Sequence, residues 1–141
     1  MKNSLVRNAL VYAHADYRYS GNDGINIDNC VFHYNQSPSD LAPGSMSPTN
    51  FMLHFSSESY SYQSRPKINV TDSMVKCNES AKDSSVALSL DGEFLIDSSN
   101  FQGCEKGITT TSQGTVKNTA FTDISGYALE NLGSKSVNAA H

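Results

Sequence analysis

The chain has 141 residues, and 14 acidic against 10 basic side chains leave a formal net charge of −4. Charged residues make up only 17% and hydrophobic residues 38%, while 22 Ser and 13 Asn fill the difference. The length suits one domain, 1–141. The acidic balance without a basic block argues against nucleic acid or an anionic membrane, and no apolar run reaches the ~18 residues of a membrane span.

In chain order, Met1-Lys2-Asn3-Ser4 is not followed by the apolar stretch of a signal peptide. The first predicted strand segment then covers residues 6–11, reading apolar, any, Asn/Asp/Ser, any, any, apolar. The same pattern returns at 27–32, 70–75, 96–101 and 116–121, and Val137 opens a sixth unit. A second column of short strands follows at 51–55, 86–90, 108–111 and 128–131, most of them trailed by turn signals such as Asp91-Gly92, Gln113-Gly114 and Leu132-Gly133. The steps between first apolar residues are 21, 43, 26, 20 and 21 residues. The long step reads as one coil carrying an insertion at about 36–50, where Gln36-Ser37-Pro38-Ser39 and Pro43-Gly44-Ser45 gather turn formers, with a second excursion at about 56–66.

A period of this size with short strands means a solenoid. From Leu5 to Ala140 the pattern resembles the right-handed parallel β-helix, or pectate-lyase-like, repeat family. The resemblance implies an all-β solenoid of about five to six coils with a loop insertion in the second coil; a β-sandwich is the other arrangement open to such strands. In the solenoid, Val6, Ile27, Val70, Ile96 and Val116 stack inside, as do Val11, Phe32, Val75, Phe101 and Phe121. Asn8, Asn29, Asp72, Ser98 and Asn118 share a bend, where short polar side chains bond the turn and one another. A further column holds His14, Asn35, Asn78, Cys104 and Ile124. Open ends, without an amphipathic capping helix, lead to the expectation that the chain is a piece of a longer solenoid, meeting neighbouring coils, or that its ends are covered by a partner chain or a symmetry mate.

Active members of the resembled family use acidic clusters with arginine, or three close aspartates. Here alternation puts Asp28, Thr71, Asp97 and Lys117 on one face and Asp72 on the other. Asp28 and Asp97 lie two coils apart, about 10 Å, too far to share a water or a calcium ion. His14, His33, His54 and His141 follow no repeated spacing, and no phosphate loop or metal motif occurs. We therefore expect no catalytic residue, no metal and no cofactor. Cys77 and Cys104 fall on neighbouring coils within disulfide reach, or are buried small side chains; Cys30 is left over. Sequons stand at Asn35, Asn69 and Asn78. Six of the seven tyrosines lie in the first half, and both excursions lie near Tyr17, Tyr19, Tyr60 and Tyr62. They either cover the rod or form a glycan or protein contact surface. The expectation is a structural or adhesive module, extracellular or at the cell surface. The alternative is a fragment of a polysaccharide lyase, hydrolase or phage tailspike.

Overall fold

The computed structural model describes residues 1–16, 24–41, 51–58, 67–81 and 85–140. Within them the chain winds through β1 (Leu5–Arg7), β2 (Val11–Asp16), β3 (Ile25–Asp28), β4 (Val31–Tyr34), β5 (Phe51–Glu58), β6 (Ile68–Thr71), β7 (Met74–Cys77) and β8 (Val86–Asp91). It continues with β9 (Phe94–Asp97), β10 (Asn100–Gln102), β11 (Lys106–Thr110), β12 (Gly114–Lys117), β13 (Ala120–Thr122), β14 (Leu129–Asn131) and β15 (Val137–Ala140). Every third strand pairs in parallel, giving three five-stranded sheets. Sheet 1 is β1-β4-β7-β10-β13, sheet 2 is β2-β5-β8-β11-β14, and sheet 3 is β3-β6-β9-β12-β15. The fold is a parallel β-helix of about five coils.

Hydrophobic burial and ladder hydrogen bonding converge on this arrangement. Ile27, Val70, Ile96 and Val116 pair in register and are each no more than 4% exposed. Phe32, Val75 and Phe101 form the next column at no more than 2% exposure, and Phe121 stacks on Phe101 with centroids 5.4 Å apart. Leu53, Leu88 and Ile108 make the inner column of sheet 2. Each such side chain contributes roughly 1.5–3 kcal/mol by leaving water.

The bend from sheet 3 to sheet 1 repeats in five coils. Asn3, Asn29, Asp72, Ser98 and Asn118 have φ between 49° and 52°, the left-handed region that Asn and Asp enter more readily than other non-glycine residues. The following residue is always Ser4, Cys30, Ser73, Ser99 or Thr119, whose Oγ or Sγ donates to the carbonyl two residues back at 2.7–3.3 Å. Ser73 Oγ also accepts from the Cys30 N–H at 3.1 Å, and Ser99 Oγ from the Ser73 N–H at 3.2 Å. Buried backbone donors are thereby satisfied from one coil to the next. Cys30 is a thiol in a hydroxyl column.

The first coil is framed differently from the expectation. Val6 pairs with Phe32, not Ile27, and Val11 faces Leu53 in sheet 2. Asn3, not Asn8, occupies the shared bend, and the Asn29 amide donates to Asn3 Oδ1 at 2.7 Å across a separation of 26 residues. Both frames satisfy the repeat pattern, because Asn8 also turns left-handed, at the next corner. His14 likewise leaves the column assigned to it and sits opposite Ser56. Val137 aligns with Gly114, while Ala139 takes the place beside Val116.

Corners from sheet 1 to sheet 2 vary. Asn8, Gly103 and Asp123 turn with φ of 48°, 75° and 55°. A Cβ at Gly103 would collide with the Cys77 carbonyl oxygen, so glycine is required there on two counts. In the second and third coils Tyr34 and Cys77 instead prolong their strands in mutual register. The chain then enters α1 (Pro38–Leu41) or a 3-10 turn, Glu79–Ala81. The insertion expected at 36–50 thus opens on α1, and residues 42–50 lie outside those described. Ser56, Ser57 and Glu58 belong to β5, so the second excursion begins later than 56. Among the described residues no helix is long and apolar enough to cross a membrane.

Candidate functional site

Tyr17, Tyr19, Tyr60 and Tyr62 lie outside the described residues. Of the other tyrosines in that half, Tyr34 is a core residue, fully buried, its hydroxyl donating to the Ala9 carbonyl at 2.8 Å. Burial pushes its phenol well above the ordinary value. Tyr12 is 43% exposed on the outer face of sheet 2.

That face carries the richest chemistry among the described residues. Strand alternation turns Tyr12, His54, Ser89, Thr109 and Glu130 outward in one register-matched column. Beside it, His14 pairs with Ser56 and Ser56 with Asp91. The two ladders are knitted by hydrogen bonds. His14 Nδ1 lies 2.8 Å from Ser56 Oγ, His54 Nδ1 lies 3.1 Å from Ser89 Oγ, and Thr111 Oγ1 donates to Asp91 Oδ1 at 3.1 Å.

Three rings meet at one end of these columns. Phe51 stacks on His54 with centroids 5.1 Å apart and planes 27° apart, and Tyr12 meets both at 6.3 and 6.0 Å. Desolvation beneath this cluster lowers the His54 pKa, with Asp91 pulling weakly the other way, so the imidazole favours its neutral form. A shallow depression of about 190 Å³ opens between Phe51, His54, Asp91, Thr109 and Leu132. At the other end Lys106 Nζ binds Glu130 Oε2 at 2.7 Å and lies 5.8 Å from the Tyr127 ring centre. The Glu130 hydrogen bond is the main reason the Lys106 ammonium is held above its ordinary pKa.

Two carboxylates of sheet 3 are bonded to neighbouring coils. On sheet 3, Asp28, Thr71, Asp97 and Lys117 share one outward column, as alternation required. Asp28 binds Lys2 at 3.1 Å and accepts from Thr71 at 3.1 Å. Asp97 accepts from Asn118 at 2.9 Å and binds Lys117 at 3.1 Å. Hydrogen bonds from Lys2 and Thr71 hold the Asp28 pKa below the ordinary carboxylate value, and those from Asn118 and Lys117 do the same for Asp97. Among the described residues no group of three or more His, Cys, Asp or Glu could hold a metal ion. Cys77 and Cys104 are joined as a disulfide with Cα atoms 5.0 Å apart, and Cys30 is free and buried.

Sequence reasoning missed Tyr12, Phe51 and His54 as a group, because Tyr12 and His54 are 42 residues apart and become neighbours only through the coil-to-coil register. The usable signal was alternation within the predicted strand at 51–55, which turns His54 away from Leu53 and Phe55. Comparison with protein-family models, curated proteins and solved structures finds no match to this chain.

Proposed function

We propose that the protein is a non-enzymatic, adhesive β-helix module that binds glycan on the outer face of sheet 2. The observation that carries this reading is the Tyr12–Phe51–His54 ring cluster standing beside a ladder of hydroxyl and carboxylate groups. Flat rings offer the apolar faces of a sugar a platform, and Ser89, Thr111 and Asp91 offer donors and acceptors to its hydroxyls. A binding role is favoured over catalysis because Asp28, Asp91, Asp97, Glu93 and Glu130 each already bond a neighbouring coil. The Cys77–Cys104 bridge favours an extracellular or cell-surface location, where disulfides persist. Kinship with the right-handed pectate-lyase-like group of folds is part of the same proposal, supported by the three stacked parallel sheets.

The test is a panel of neutral oligosaccharides against the wild type and the Tyr12→Ala/Phe51→Ala double variant. Losing two ring platforms, each worth about 0.5–1.5 kcal/mol, is expected to weaken binding about tenfold. Silence across the panel, or equal binding by the variant, overturns the reading.

A further inference from the structure

Sheet 1 presents another outward face that the glycan site on sheet 2 does not use. Alternation along β1, β4 and β7 turns Leu5, Val31 and Met74 outward in one register-matched column, and Arg7, His33 and Lys76 outward in the next. Leu5 is 59% and Val31 39% exposed. Arg7 and Lys76 stand on either side of His33 in that column, at the rung spacing of ~4.8 Å.

Four of the five other lysines among the described residues are answered from within the chain, and Lys135 is not. Lys2 binds Asp28, Lys67 binds Glu93, Lys106 binds Glu130 and Lys117 binds Asp97. Among the described residues neither Arg7 nor Lys76 has such a carboxylate, and His33 Nε2 lies 3.2 Å from the Asn78 amide oxygen. Glu79 and Asp123 border the same open depression as Lys76, about 510 Å³ in volume, without forming an ion pair with it. The basic column then runs on into neutral Gln102. A local cationic strip therefore stands without an ion pair among the described residues, on a chain whose net charge is −4.

We propose that this strip binds a linear anionic polysaccharide lying along the rod axis. Its carboxylate or sulfate groups meet Arg7, His33 and Lys76 one rung at a time, and its ring faces rest on Leu5, Val31 and Met74. A narrow strip, two columns wide, matches a single polymer strand. A bilayer surface fits less well, since the strip bears no Trp or Tyr of the kind that anchors proteins at headgroup level, and the acidic remainder of the chain is repelled by anionic lipid.

The experiment measures binding of chondroitin sulfate, neutral dextran and phosphatidylserine-containing vesicles to the full chain. The wild type is expected to retain chondroitin sulfate, not dextran, with an affinity that falls as salt rises. The Arg7→Gln/Lys76→Gln variant should lose about tenfold with a shallower salt dependence, and Arg7→Lys should keep binding. All three substitutions sit on exposed or half-exposed outward positions, and an unchanged thermal transition checks the fold. No retention of the sulfated polymer, equal retention by the Gln variant, or capture by vesicles alone each overturns the proposal. Tyr12→Ala/Phe51→Ala should leave this binding untouched, so failure on one face is distinguishable from failure on the other.

Discussion

At the bend from sheet 3 to sheet 1, five coils repeat one solution: a left-handed Asn, Asp or Ser, then a hydroxyl or thiol that closes back on the carbonyl two residues earlier. At the corner from sheet 1 to sheet 2, three coils turn left-handed, while Tyr34 and Cys77 carry their strands onward. At the first, the left-handed residue is exposed but the next one turns inward, Cys30, Ser73 and Ser99 being buried, so these coils satisfy the same enclosed backbone groups in the same way. At the second, the coils diverge into α1 or the Glu79–Ala81 turn, as connections that carry insertions do. Uniformity belongs to the bend with the inward side chain and variety to the corner that leads into the insertion.

The contrast can be broken in several places. Phe101 lies between both turns of its coil, so Phe101→Ala should cost the most, about 3–5 kcal/mol of unfolding free energy in denaturant titration. Next comes the variable corner, where Cys77–Cys104 spans 27 residues. Replacing both cysteines with Ser should cost about 3–4 kcal/mol on the same measurement, the loop-closure value for that span. Ser73→Ala probes the uniform bend and leaves the Cys30 N–H without its acceptor, at about 1–3 kcal/mol; hydrogen exchange should quicken at Cys30 before it does at Gly103.

The smallest effect is electrostatic. Asp97 has a folded pKa below its unfolded one, so its contribution is present above about pH 4 and disappears as pH falls through the lower, folded value. Asp97→Asn should flatten that acid limb of the stability curve.

What was legible in the residues follows the same division. The bend imposes a left-handed conformation, and few residue types accept one, so Asn29, Asp72, Ser98 and Asn118 announced it. Their spacing then located sheets 1 and 3. The first coil misled because Asn3 and Asn8 both turn left-handed, one at each corner, and either frame keeps apolar residues inside. The ring cluster on sheet 2 was hidden for another reason. Tyr12 and His54 depend on a register carried across an insertion, and nothing in either strand alone names its neighbour. The basic strip on sheet 1 was hidden likewise, its three members being scattered over 70 positions of a chain that has no basic block.

The thiol of Cys30 has a practical consequence. It is fully enclosed, and its environment is supplied by residues of its own bend and of the next coil. An alkylating reagent can reach it only when that bend comes apart, so the labelling rate of native protein counts opening events at one chosen rung. The same enclosure keeps this sulfur from attacking the Cys77–Cys104 bridge, since exchange needs a thiolate with access. An unpaired cysteine can thus persist beside a disulfide in an oxidising medium without scrambling it, protected by burial alone.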